Sequence, residues 1–179
     1  MLEIVNEPEQ SSNSDTDSMR DVYYPTAFER IRAAEANLSV STDKALHIQM
    51  MNQKWGSGDP TQYLSENDTL RAFDDHRYLK YDSSVGDSPA DYLQASCSDD
   101  RSGDSPTIVG EFSLSPKTEL QDNSDFAAND ANKAWYTQWF EAQVQAYEKQ
   151  EGWVFWSWRA DLNDWRWSYK GIFPLHFSP

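Results

Sequence analysis

Apolar residues in this chain come in short runs that end on polar ones, and those runs alternate with stretches of helical spacing. Leu2-Glu3-Ile4-Val5 closes in Asn6-Glu7-Pro8, and because Pro8 cannot continue a central strand, a strand ends at Glu7. A Ser/Asp-rich loop is expected over residues 11–22. From Tyr24 to Leu38 the pattern turns helical, with Pro25 at the first turn and Phe28, Ile31, Ala34 and Leu38 on one face. Ala45 to Met51 reads as a buried strand, closed by the turn-rich Gly56-Ser57-Gly58-Asp59-Pro60. Leu70 to Tyr78 is a third strand, ending in Asp75-His76-Arg77-Tyr78 and followed by a short helix near Pro89–Ala95. Pro106 to Glu111 is a β-branched strand ending on a carboxylate. A long helix follows over about Asn129 to Gln150, with Trp135, Trp139, Phe140, Val144 and Tyr147 at three- and four-residue steps, and Gly152 to Trp158 is the last strand. Strands alternating with helices predict an α/β fold, a parallel sheet with helices outside it.

Composition narrows the function classes. With 30 acidic against 15 basic residues the net charge is −15, which repels phosphate backbones and anionic lipid surfaces but not neutral polymers. Nucleic acid and membrane partners are therefore not expected. Trp, Tyr and Phe make up 14% of the chain; most are expected in the core, and the remainder offer flat faces on which sugar C–H surfaces stack. The lone Cys97 cannot form an internal disulfide. No run reaches the roughly 20 apolar residues of a membrane span, and no signal peptide opens the chain. Two glycosylation sequons, Asn37-Leu38-Ser39 and Asn67-Asp68-Thr69, fit a secreted protein.

Polar groups with chemistry gather at strand ends. Glu7, His76, Tyr78, Glu111 and Trp156 or Trp158 each close a predicted strand, and in barrels the C-terminal strand ends are where loops converge on one pocket. Cleavage of a glycosidic bond needs two carboxyls, one protonating the leaving oxygen and the other, in retaining enzymes, attacking the anomeric carbon. Glu7 and Glu111 suit those roles. His47, His76 and His176 are scattered, and the acidic clusters lack the oxygen-ligand spacing of a calcium loop, so neither a metal nor another cofactor is expected.

The blocks Ile4-Val5-Asn6-Glu7-Pro8, Asp75-His76-Arg77-Tyr78, Ile108-Val109-Gly110-Glu111-Phe112-Ser113 and Gly152-Trp153-Val154-Phe155-Trp156-Ser157-Trp158 resemble, in order and spacing, fungal glucanases of glycoside hydrolase family 5. Leu46 to Asn52, Trp55 to Gly58 and Trp165 to Tyr169 look most like the endo-1,6-β-glucosidase branch, with exo-1,3-glucanases the nearest rival. The resemblance implies a (β/α)₈ TIM barrel of which strands 4 to 8 are present. Residues 1–179 would then be the C-terminal half of the catalytic barrel, with strands 1 to 3 absent; a whole barrel needs about 250 residues. It further implies Glu7 as acid/base, Asn6 on the sugar 2-hydroxyl, Glu111 as nucleophile, His76 and Tyr78 orienting the carboxylates, and Trp156 or Trp158 as a subsite platform. The substrate would be β-glucan of fungal-type cell walls, and the full-length enzyme would be secreted to the extracellular space or cell wall. Three departures stand out: Phe112 where relatives commonly have Trp, Glu9 after Pro8 where the endo-1,6 branch tends to be apolar, and the missing first strands. A truncated, non-catalytic fragment is the alternative from another class.

Overall fold

The computed structural model describes residues 1–11 and 13–172, so that His176 lies outside the described residues. Four strands, β1 (Leu2–Glu3), β2 (Ile48–Met51), β3 (Arg71–His76) and β4 (Thr107–Glu111), lie in the order β1-β2-β3-β4. The pairs β1–β2 and β2–β3 are parallel. Neighbours in sequence are thus neighbours in the sheet, and parallel pairing makes the β1–β2 and β2–β3 connections crossovers. Among the described residues the α-helices are α1 (Ser14–Ser18), α2 (Tyr24–Asn37), α3 (Pro89–Cys97), α4 (Lys133–Tyr147) and α5 (Tyr169–Ile172). None of the described helices is long and apolar enough to cross a membrane. The chain divides into two units, one of Met1–Asp75 with Ser102–Thr107, the other of His76–Arg101 with Ile108–Pro179.

In the first unit the core gathers Tyr24 and Phe28 of α2, Ile48 and Met50 of β2 and Phe73 of β3. Burial pushes the Tyr24 phenol well above its ordinary range, so it stays neutral. The loop expected over residues 11–22 is corrected by the structure: residues 14–22 are helical. Asn13 caps α1 by accepting from the amides of Asp15 and Thr16, while the Thr16 hydroxyl accepts from the Asn13 amide, a reciprocal capping box. A π-helical turn, Met19–Tyr23, then runs into α2. Arg20, in that turn, is buried although it is charged. Its guanidinium reaches Gln62 (2.6 Å), the Thr16 carbonyl and Asp17. Gly58, at φ +93°, lies against that guanidinium; a Cβ there would come within 2.5 Å of Nη1.

The second unit is built on aromatic rings. Phe112, just past β4, meets Phe140, Tyr147, Trp153 and Phe155 at centroid distances of 5.0–6.2 Å. Fully buried Trp139 of α4 packs edge-on to Tyr92 of α3 at 4.9 Å and donates its indole N–H to Ser96 (3.1 Å). A ring placed this way removes 150–250 Å² from water, and truncation to Ala costs about 3–5 kcal/mol. The last expected strand is only partly realised. Val109 bridges Trp153 in parallel, Val154 N–H donates to the Val109 carbonyl (2.8 Å) and Trp156 N–H to that of Phe112 (2.9 Å). Beyond that point the amide of Ser157 turns to Trp167 and leaves β4.

Candidate active site

Two residues of the second unit converge on one carboxylate oxygen of a third. Tyr78 donates its hydroxyl to Glu111 Oε2 at 2.6 Å, and His76 Nδ1 lies 3.5 Å from the same oxygen. The His76 side chain is 1% exposed and that of Glu111 14%, so the carboxylate is held at a partly closed surface. The strands explain the meeting. His76 ends β3 and Glu111 ends β4; Arg77 N–H donates to the Glu111 carbonyl at 2.8 Å and aligns the two ends. Extended backbone sends alternate side chains to one side, so His76 and Tyr78 face Glu111 together. A short O–H···O⁻ bond is strong and directional. It favours the ionised carboxylate and fixes its aim, as attack on an electrophilic carbon requires.

Around this triad the Tyr78 ring contacts Trp167 (5.8 Å) and exposed Tyr81 (6.1 Å), while the Lys80 ammonium sits 5.2 Å from the Trp167 ring centre and 5.3 Å from that of Tyr81. Burial and the nearby Arg166 lower the Lys80 pKa. Trp167 is held by its neighbour. The Arg166 guanidinium binds the Asp164 carboxylate (2.8 Å), the carbonyls of Gln121 and Phe126 and the hydroxyl of Tyr136. Burial pushes Tyr136 up to about 12 even against that charge. Trp156 is 49% exposed and Trp158 68%, with Trp158 stacked on Tyr169 at 5.8 Å and 28°. Both are exposed to solvent, whereas Phe155, which precedes them, is buried.

Asn6 and Glu7 belong to the first unit, where both are exposed just beyond β1. Glu7 adopts φ +45°, a left-handed conformation that costs a non-glycine residue about 1 kcal/mol or more and that clusters at functional sites. Following Pro8 is anchored by the Trp55 indole, which donates to its carbonyl at 2.7 Å. Sequence reasoning passed over Trp167, Lys80 and Arg77 as site components. The signal for Arg77 was present in its place between two residues that share a face.

A family model described as cellulase (glycosyl hydrolase family 5) matches residues 1–162. Glucan endo-1,6-beta-glucosidase B of Emericella nidulans is 56% identical over 170 residues, covering 95% of this chain and 41% of that protein. A probable glucan endo-1,6-beta-glucosidase B of Aspergillus fumigatus is 53% identical over 171 residues, covering 96% and 42%. Glucan 1,3-beta-glucosidase 2 of Wickerhamomyces anomalus is 42% identical over 50 residues, 26% of this chain. The chain thus spans about two fifths of the length of the endo-1,6 relatives it matches. Among solved structures, rutinosidase from Aspergillus niger has a similar fold, with a TM-score of 0.54 and 17% identity over 98% of this chain and 50% of that one. Together with the parallel strand order, this fold likeness is consistent with part of a TIM barrel.

Proposed function

The chain belongs to glycosyl hydrolase family 5, and on that premise we propose that it acts in a retaining hydrolase of β-glucan that cleaves internal β-1,6 bonds. The observation that carries this reading is the Glu111 carboxylate at the end of β4, held by the Tyr78 hydroxyl at 2.6 Å with His76 at 3.5 Å. In the proposed reaction Glu111 attacks the anomeric carbon and forms a glycosyl ester, while Glu7 protonates the departing oxygen. Having given its proton to the departing oxygen, Glu7 is the carboxylate that takes a proton from the incoming water as that water displaces Glu111 from the anomeric carbon and releases the sugar. Asn6 would bind the 2-hydroxyl, and Trp156 or Trp158 would stack on a neighbouring sugar. In barrel terms the segments from Leu2 to Trp158 would be strands 4 to 8.

The endo-1,6 linkage is favoured over exo-1,3 because likeness to named endo-1,6 enzymes runs across 95–96% of this chain, whereas that to the 1,3-glucosidase stops at 26%. Secretion belongs to the same proposal, and both sequon asparagines, Asn37 and Asn67, are exposed. The test is Glu111→Gln, since an amide cannot form the glycosyl ester. Turnover should drop below about a hundredth of the parent, and retention above that level rejects Glu111 as nucleophile. The parent should release short oligosaccharides from a β-1,6-glucan such as pustulan and little from linear β-1,3-glucan; glucose alone from the latter would favour the exo reading.

A further inference from the structure

We propose that Arg77 is a positioning residue that sets the geometry of Tyr78 and His76 on Glu111. The inference rests on the reading of Glu111 as nucleophile. Arg77 sits between the two residues that face the carboxylate, and alternation turns its own side chain to the opposite side. There the guanidinium is forked between two acids: Nε donates to Asp99 Oδ2 and Nη2 to Asp82 Oδ2, each at 2.8 Å. Both acids are themselves fixed. Asp82 accepts from the Ser84 amide (2.9 Å) and hydroxyl (2.6 Å), and Asp99 follows α3, with Arg101 at 3.5 Å.

One side chain thereby ties the turn Leu79–Tyr81, which carries Tyr78 at its start and Asp82 at its end, to the helix α3 beyond it. The same residue's amide holds the Glu111 carbonyl at 2.8 Å. Arg77 therefore fixes donor and acceptor of the 2.6 Å bond at once, one through its side chain and the other through its main chain. Lysine cannot copy the fork, because a point charge lacks the planar pair of donors. Beside the guanidinium lies a cleft of about 330 Å³ lined by Asp82, Gly86, Asp91, Gln94 and Ser98. Water from that cleft can solvate Asp82 and Asp99 when the guanidinium is removed, so a truncated variant has a route to remain folded.

The experiment measures kcat and KM for the parent, Arg77→Met, Arg77→Lys, Asp82→Asn and Glu111→Gln on β-1,6-glucan oligosaccharides, with thermal unfolding of each. A misplacement of about 1 Å costs on the order of a hundredfold. Arg77→Met should accordingly lower kcat about 10- to 100-fold with KM within about threefold, and Arg77→Lys should recover part of the loss. Asp82→Asn, which keeps the Asp99 arm, should show a smaller fall in kcat. A folded Arg77→Met with parental kcat, or one whose only change is in KM, overturns the inference while leaving the nucleophile assignment intact. Should Arg77→Met not fold, parental kcat in both Arg77→Lys and Asp82→Asn overturns it equally. An active Glu111→Gln, or an inactive parent, instead removes the functional reading, and this inference falls with it.

Discussion

Replacing Tyr78 by Phe removes one oxygen and keeps the ring that packs on Trp167 and Tyr81. What disappears is the 2.6 Å bond to Glu111, a hydrogen bond to a charged group, of a kind worth about 1.5–3 kcal/mol. At about 1.36 kcal/mol per factor of ten, that corresponds to roughly a 10- to 150-fold loss in kcat/KM. Two effects pull against each other. A carboxylate that has lost a donor is more basic and so a somewhat better nucleophile. The same carboxylate has also lost the 2.6 Å bond that aims it, while His76 Nδ1 lies farther off, at 3.5 Å from that oxygen. Aim dominates, because a transition state of oxocarbenium character has little bonding to the nucleophile and gains little from basicity, whereas misplacement is costly. The loss should fall on kcat, since the ring surface around the site is unchanged. Steady-state kinetics on β-1,6-glucan oligosaccharides decide the matter. A Phe variant within twofold of the parent in kcat, or one altered only in KM, would refute the assignment of Tyr78 as the residue that orients Glu111.

How far the fold could be read in advance depended on whether its cause was local. The helices α2, α3 and α4 declare themselves through Pro25 and Pro89 at first turns and through aromatic residues at three- and four-residue steps, and the end of β4 at Glu111 coincides with the change from apolar to polar, whereas β1, expected to run to Glu7, stops at Glu3. Residues 14–22 were expected to be loop because part of what supports the helix is distant. Arg20 meets Gln62, 42 positions on, and no pattern within the segment contains that partner. The run Trp153 to Trp158 failed in the opposite sense. Its composition is that of a strand, but past Val154 its amides find Phe112 and Trp167 and not a regular ladder. Around Glu111 the same division holds. Alternation placed His76 and Tyr78 on one face, whereas Trp167 meets Tyr78 from a segment about ninety positions on, beside an Arg166 that bonds to Asp164, Gln121, Phe126 and Tyr136.

Glu7→Gln should abolish polymer hydrolysis but leave a glycosylation burst on an activated aryl glycoside, whose leaving group needs no proton; equal loss on both substrates would argue against Glu7 as the acid. Of the two exposed indoles, the one that serves as platform should raise KM several-fold on change to Ala with kcat little altered, and if Trp156→Ala and Trp158→Ala both keep parental KM, neither ring stacks on the substrate. Asp82 supplies a prediction on stability. Burial acts to raise its pKa, yet the bonds from Ser84 and Arg77 outweigh burial and hold it at about 2, against an ordinary 3.8. A depressed folded-state pKa means stability that is fully present above about pH 4 and lost as pH falls toward 2. The difference amounts to about 2 kcal/mol, for a side chain only 24% exposed. In a chain of this size that is roughly 4–8 °C in Tm. Asp82→Asn should therefore unfold that much lower than the parent at pH 7, and the gap should close between about pH 4 and pH 2 as the parent's own carboxylate takes up its proton. Thermal unfolding of both proteins across that range tests it, and a gap that is the same at every pH would show that the Arg77 and Ser84 bonds to Asp82 do not stabilise its charged form.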